Sequence, residues 1–335
     1  IAYGTGSLLF LILFFAHYAG YDLPLGLPRE VIFLTAGGVL IVAALGAART
    51  DVATPRFAFA GAMGGLLLAL LPLARPVLFP VAPPPAPGHP VLTRIVSLNL
   101  HQGFDELGGW SFDRQMKELR ESRPHIVALQ EVSRGWVING CADLFELTRE
   151  SLGMPGEAGP SVRRDWGNAV FARHQLAAFE NVPLPPDSLP IPRAVSVADA
   201  RLAGGTRLRV FATHLHHPDA DTTVRDRQAE AIAELTIPPD FRGGVLLGDF
   251  NALPDSRCFG ILHEAGWTDI YQQSLLAEVG EGMTFPSAAP ERRIDTILYR
   301  GPWRVAASGV APPWGSDHRA VWVDLSPMGA ADLAP

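Results

Sequence analysis

The 335-residue sequence predicts an α+β sandwich domain preceded by about three transmembrane α-helices, and three observations predict it. Short apolar runs bounded by turn residues outnumber the helical patterns between them. Charge is scarce up to about Ala74 and ordinary from about Val91 onward, and a proline-rich stretch separates the two compositions.

Residues 1–21, 31–48 and 57–74 carry no formal charge and are dominated by Leu, Ala, Val, Ile, Gly and Phe. Runs of this length extend roughly 27–30 Å as helix, enough to cross the hydrocarbon core of a bilayer. Buried helices of a soluble protein are the alternative, and three such runs in succession between short charged loops disfavour it. A cleaved signal peptide would need one apolar segment, not three. Arg29 lies between the first two runs, whereas Arg49 and Arg56 lie between the second and third. The positive-inside tendency therefore places the C-terminal part outside the cytoplasm of a bacterial-type plasma membrane. A transporter reading finds little support, because His17 is the one titratable imidazole in the three runs.

Residues 77–90 form the linker; from Pro80 to Pro90 it holds six prolines, which exclude helix and favour a stiff extended spacer. The soluble domain follows over 91–327, with a tail at 328–335. Domain and tail together contain 23 of the 27 Lys and Arg and 31 of the 34 Asp and Glu, a formal charge of −8. Proteins that hold duplex DNA by its phosphates present a basic surface, so bulk DNA binding is disfavoured. The two cysteines, Cys141 and Cys258, form neither a metal-type cluster nor a required disulfide.

Within the soluble domain, strands are expected at Arg94–Leu100, His125–Gln130, Asn168–Ala172, Ala194–Ala200, Leu208–His214, Gly244–Leu247, Thr296–Tyr299 and Ala320–Leu325. Ser111 can cap a helix running through Phe112, Met116 and Leu119, and Thr223–Leu235 offers another.

Most of these strands run apolar and then end in acids, amides or imidazoles. RIVSLNLHQG ends on Asn99, IVALQEV on Glu131 and VFATHLHHP on His214, His216 and His217; VLLGDFNALPDS supplies Asp249 and Asn251, RRIDTILYR Asp295, and GSDHRAVWVDL Asp317 and His318. Paired strands would gather these ends around one cleft. Hard oxygen ligands such as Glu131 and Asp317 suit Mg²⁺ or Mn²⁺. Asp249 suits the activation of water, while His214 and His318 suit donation to phosphate oxygens. Each motif alone has a plainer reading: Asp-x-Asn after an apolar run is usually a turn. His216 and His217, without cysteine partners, read as solvent-facing loop residues rather than zinc ligands.

Taken together, SLNLHQG, ALQEV, WGNAVFAR, ATHLHH, LLGDFNALPDS, RRIDTILY and SDHRAV resemble, in order, the motifs of the endonuclease/exonuclease/phosphatase superfamily, which has the DNase I-like fold. The resemblance covers Val91 to about Leu325 and implies a four-layered α/β/β/α sandwich with its active site at one sheet rim. It implies metal-site residues Asn99, Glu131 and Asp317, and Asn168 touching phosphate. It further implies His214 stabilising the transition state, Asp249 activating water, Asn251 holding a phosphate oxygen and Asp295 orienting His318. The histidine in Thr213–Leu215 is similar to the sphingomyelinase, DNase I and deadenylase branches and unlike abasic-site endonucleases. FFAHYAGYDLPLGLPRE is loosely similar to membrane proteins of glycolipid-anchor remodelling. The expected function is a membrane-anchored, metal-dependent phosphodiesterase acting on a phospholipid or sphingolipid-like headgroup. An extracytoplasmic nuclease, a phosphomonoesterase and a non-catalytic binding domain of the same fold are the alternatives, and nucleic acid is the less favoured partner.

Overall fold

The computed structural model describes residues 8–13, 15–16, 31, 34–35, 37–39, 42, 92–173, 175–273 and 282–328. The chain divides into two units, Ile1–Val81 and Ala82–Pro335. In the first, the described residues are helical. Among the described residues no helix is long and apolar enough to cross a membrane. The expectation of three spanning helices is therefore without structural support: the first two runs are described only in part, and 57–74 lies outside the described residues, as do the linker and the tail from 329.

The second unit is built on two mixed six-stranded sheets. In the first the order is β11(Trp303–Val310), β12(Val321–Pro327), β1(Thr93–Asn99), β2(Ile126–Ser133), β4(Trp166–Ala172), β3(Gly156–Val162). The second runs β5(Leu176–Leu184), β6(Arg193–Arg201), β7(Arg207–His214), β8(Gly243–Asp249), β10(Asp295–Arg300), β9(Thr268–Asp269). The central strands are nearly continuous in apolar residues because both of their faces are covered. One set of side chains, including Ile95, Ala128, Val170, Val210, Leu247 and Ile297, fills the space between the sheets.

Helices close the outer faces. α1(Phe112–Glu121) and α2(Leu144–Leu152) place Phe112, Met116, Leu119, Leu144 and Phe145 on the other face of the first sheet, against Val96, Leu98 and Val127. α3(Thr222–Ala233) and α4(Arg257–Glu264) place Ala229, Ile232, Phe259 and Leu262 on the second, against Phe211 and Leu246; a short α5(Ile270–Gln273) follows. The spacing of Phe112, Met116 and Leu119 gives α1 one buried face, as the periodicity predicts. Ser111 stands at its N-cap without a side-chain capping bond, whereas Asp143 caps α2 by accepting from Glu146 N. The result is the helix, sheet, sheet, helix layering implied by the resemblance.

Candidate active site

Strand register brings the polar ends together. β1 and β2 are parallel, with Asn99 opposite Gln130, so Asn99 and Glu131 reach the same rim. β7 and β8 are parallel with His214 opposite Asp249, and antiparallel β10 sets Asp295 opposite Asp249 from the other side. The connection into β12 contributes Ser316, Asp317 and His318. It is pinned to β1 because Ser316 Oγ donates to Asn99 O at 2.7 Å and accepts from His318 N at 3.2 Å.

Local backbone geometry aims two of the carboxylates. The β2–β4 pairing slips between Leu129 and Val132, and Glu131 inside that bulge has φ +56°. A bulge re-aims a side chain that an even ladder would send to the opposite face. Gly248, at φ +150°, lets β8 approach β7 so closely that a Cβ there would overlap the Thr213 carbonyl oxygen, which leaves Asp249 directly beside His214.

Asp249 is the hub. Its Oδ2 accepts from Asn99 Nδ2 at 3.0 Å and lies 3.4 Å from His214 Nε2 and 3.7 Å from His318 Nε2. Its Oδ1 accepts from Asn251 N at 2.9 Å. Asn99 Nδ2 also donates to Glu131 Oε1 at 3.3 Å, while its Oδ1 accepts from His101 N. His318 Nδ1 donates to Asp295 Oδ2 at 2.8 Å, which turns Nε2 toward Asp249, and the Phe285 ring stands 4.8 Å from the imidazole. Asp317 Oδ1 lies 3.6 Å from His101 Nδ1.

Burial and charge tune these groups in opposite senses. Burial, reinforced by Asp295, raises the Asp249 carboxyl to about 7 against the pull of His318, Asn99 and Asn251. Burial alone would lower His318, but Asp295 and Asp249 overcome it and raise the imidazole to about 10. His214 is held well below its ordinary value by burial and by Arg193, His318 and His217. One imidazole is therefore a cation at neutral pH and the other a neutral hydrogen-bonding group, with a titratable carboxylate between them.

Asn99, Glu131, His214, Asp249, Asn251, Asp295, Asp317 and His318 are thus linked through one network at the rim. Asn168, expected at phosphate, has Nδ2 donating to Ala194 O at 3.0 Å and Ala212 O at 3.3 Å, which ties β4 to β6 and β7, and its Oδ1 is buried with no hydrogen-bond partner. Asn251 Nδ2 donates to Leu215 O, and its backbone N–H holds Asp249. His216, expected in solvent, is buried, with Nε2 3.1 Å from Asp221 Oδ2; His217 is exposed as expected.

Arg193, the first residue of β6, is a site residue that sequence reasoning missed. Only 3% exposed, it has Nη2 3.2 Å from His217 Nδ1, while Nε and Nη1 are buried with no hydrogen-bond partner. Burial lowers its guanidinium to about 10, and the nearby charges of Glu131 and Asp249 oppose that fall. A buried cation with two unused donors is costly unless an anion completes it. A lone arginine before an apolar run carries no such signal in the sequence.

The donor set also fits a hard divalent cation. Carboxylates from Glu131, Asp249 and Asp317 are tied around Asn99 and its neighbours, and Asp295 keeps a buried Oδ1 without a partner. Asp249, Asp295 and His318 offer ligand atoms within 4.8 Å of one another. The Nδ1 of His318 is nevertheless committed to Asp295, so that trio reads first as a proton-holding cluster.

A family model described as the endonuclease/exonuclease/phosphatase family matches residues 110–318. Among solved structures the chain is similar to an endonuclease/exonuclease/phosphatase from Beutenbergia cavernae, at 21% identity and TM-score 0.58, over 71% of this chain and 72% of that one. It is similar to a mannosyl-6-phosphatase from Bacteroides thetaiotaomicron, at 20% identity and TM-score 0.57, over 70% and 99%. It is also similar to D. rerio TDP2 complexed with a single-strand DNA product, at 18% identity and TM-score 0.55, over 70% and 99%. No match was found among curated proteins.

Proposed function

The chain belongs to the endonuclease/exonuclease/phosphatase family, and from that premise we propose that it is a divalent-metal-dependent phosphodiesterase held at a membrane, acting on a phospholipid or sphingolipid-like headgroup. The family hydrolyses phosphoesters, and the chain is a phosphoester hydrolase. The observation that carries the reaction is the Asp249 carboxylate set 3.4 and 3.7 Å from two imidazoles tuned in opposite directions.

In this reading Asp249 takes the proton of the attacking water, since a carboxyl near 7 is matched to that task at neutral pH. The new bond joins the water oxygen to phosphorus, and the bond from phosphorus to the leaving oxygen breaks. Cationic His318, fixed through Nδ1 by Asp295, donates from Nε2 to oxygen as negative charge develops. Neutral His214 and the unused donors of Arg193 hold the remaining phosphate oxygens. Mg²⁺ or Mn²⁺ held by Glu131 and Asp317, with Asn99 beside them, would neutralise phosphate charge and polarise it toward attack.

Support for the membrane comes from the first unit, where the helical residues Leu8, Ile12, Phe15, Leu34 and Val42 are exposed at 59%, 56%, 67%, 73% and 71%. So many exposed apolar side chains call for a nonaqueous surround. A catalytic unit tethered there gains effective concentration toward lipid and little toward chromosomal DNA. The distribution of Arg29, Arg49 and Arg56 favours an extracytoplasmic catalytic unit.

The test is the full chain in mixed micelles with Mg²⁺, assayed on phospholipids, sphingolipids, oligonucleotides, sugar phosphates and inositol phosphates, with Asp249→Asn as the inactive control. Headgroup release from lipid alone, abolished by EDTA and restored by Mg²⁺ or Mn²⁺, is the expected result. Turnover confined to oligonucleotides or to phosphomonoesters would replace the lipid reading, and full rates in excess EDTA would remove the metal.

A further inference from the structure

Three adjacent connections leave the catalytic rim of the first sheet, because β1 and β2 are parallel and β4 enters antiparallel beside them. They are residues 100–111, 134–143 and the β3–β4 turn at 163–165. The first exposes Leu107 at 95% and Trp110 at 46%, and the second exposes Val137 at 56% and Ile138 at 54%. The turn exposes Arg163 and Arg164. Arg134 N donating to Asp165 O at 2.7 Å sets that basic turn against the apolar loop. The hydrolytic site uses none of these six side chains.

Hydrogen bonds hold the apolar residues outward. Asp105 Oδ1 accepts from Leu107 N and Gly109 N, and Glu106 Oε2 accepts from Ser287 Oγ and Ala288 N. Both acids of the first loop are thereby occupied, and Leu107 stands at its tip. In the second loop Gly140 N donates to Val137 O and Cys141 N to Trp136 O, a tight reversal that presents Val137 and Ile138. Its neighbouring acid, Asp143, is paired with Arg134 at 2.8 Å; Asp165 is the exposed acid of the turn.

Aliphatic tips beside exposed arginines match the boundary of an anionic bilayer, where hydrocarbon side chains enter the acyl region and guanidinium groups meet phosphate. A nucleic-acid strand would instead call for stacking aromatics along a basic groove, and here the exposed apolar groups other than Trp110 are aliphatic. We propose that Leu107, Trp110, Val137 and Ile138, with Arg163 and Arg164, form a lip that docks the catalytic rim on an anionic bilayer surface. That the lip feeds lipid headgroups into the cleft rests on the phospholipid reading above; the docking itself does not.

All seven tryptophans lie in the second unit, and Trp166, Trp267, Trp303 and Trp314 are buried. Bromine on lipid acyl chains quenches indole emission only on contact, so quenching reports the lip even though the first unit is also present. The full chain is reconstituted into phosphatidylcholine vesicles with brominated chains and increasing phosphatidylglycerol. The wild type is expected to lose a fraction of its emission on the order of one tryptophan in seven, more as phosphatidylglycerol rises. The pair Leu107→Asp, Ile138→Asp should abolish the loss, and Arg163→Glu, Arg164→Glu should abolish its dependence on phosphatidylglycerol. Hydrolysis of soluble bis(p-nitrophenyl) phosphate should be unchanged in all of them. Absence of quenching in the wild type, quenching untouched by the substitutions, or loss of oligothymidylate binding in its place would overturn the lip. Failure of the wild type to hydrolyse the soluble diester would instead overturn the hydrolase reading and leave the quenching result standing.

Discussion

Replacing Asp295 by Asn tests the central electrostatic claim, because it removes one charge and keeps the shape of the side chain. The carboxylate accepts from His318 Nδ1 at 2.8 Å, and both residues are buried. Raising an imidazole from 6.5 to about 10 corresponds to about 5 kcal/mol. A single charge pair at that separation in an effective dielectric of about 20 is worth about 6 kcal/mol, and Asp295, with help from Asp249 and Asp317, must also offset the burial that lowers the imidazole. Without Asp295 the balance shifts toward burial, and the His318 pKa falls. The same substitution relieves Asp249 of its nearest like charge, so that carboxyl falls from about 7. The wild type should therefore show a bell-shaped kcat/KM profile, rising as Asp249 ionises near 7 and falling as His318 loses its proton near 10. In Asp295→Asn both limbs move to lower pH, and kcat/KM at pH 8 falls by about 10³. The assay is kcat/KM from pH 5 to 11 at one fixed Mg²⁺ concentration, with circular dichroism to verify folding. An alkaline limb that stays in place, with kcat/KM within about threefold of wild type, would refute the reasoning.

Arg193→Met separates a phosphate-holding role from a structural one. Removal of a buried cation with two unused donors should leave the melting temperature equal or higher while kcat/KM falls by about 10² or more; a large fall in melting temperature with kcat/KM retained would make Arg193 a structural residue. Gly248→Ala places a Cβ on the Thr213 carbonyl at φ +150° and should cost about 2 kcal/mol or more in denaturant unfolding. A variant as stable as the wild type would show that the β7–β8 spacing is not set by this contact.

The strands legible in the sequence and those that were not divide by position in the sheets. All eight expected runs became β1, β2, β4, β6, β7, β8, β10 and β12, the interior strands. The unanticipated ones, β3, β5, β9 and β11, are the four edges. An interior strand is covered on both faces and bonded on both sides, so it must be a dense apolar run. An edge strand is freed from that requirement, and Pro160 in β3 and Pro183 in β5 occupy positions that only an edge tolerates. Of the helices, α1 and α3 announced themselves by periodicity, whereas α2 and α4 are eight or nine residues long, too short for a periodic signal to stand out.

The same reasoning explains which site residues could be read. Asn99, Glu131, His214 and Asp249 each follow an apolar run in sequence, and the sheet register converts that linear position into a shared rim. Asn168 and Arg193 lie at the start of their strands instead, and strands running antiparallel to their neighbours enter the same rim at their beginnings. Their surroundings depend on what distant elements present: two backbone carbonyls accept from Asn168, while the charges of Glu131 and Asp249 oppose the cost of burying the Arg193 guanidinium. Local sequence encodes neither, because the deciding partners are distant in the chain. The polarity of strand entry is thus itself a search rule: once β7 and β8 are known to end at the cleft, the first residues of β6 and β10 must be there too, and Asp295 and Arg193 are those residues.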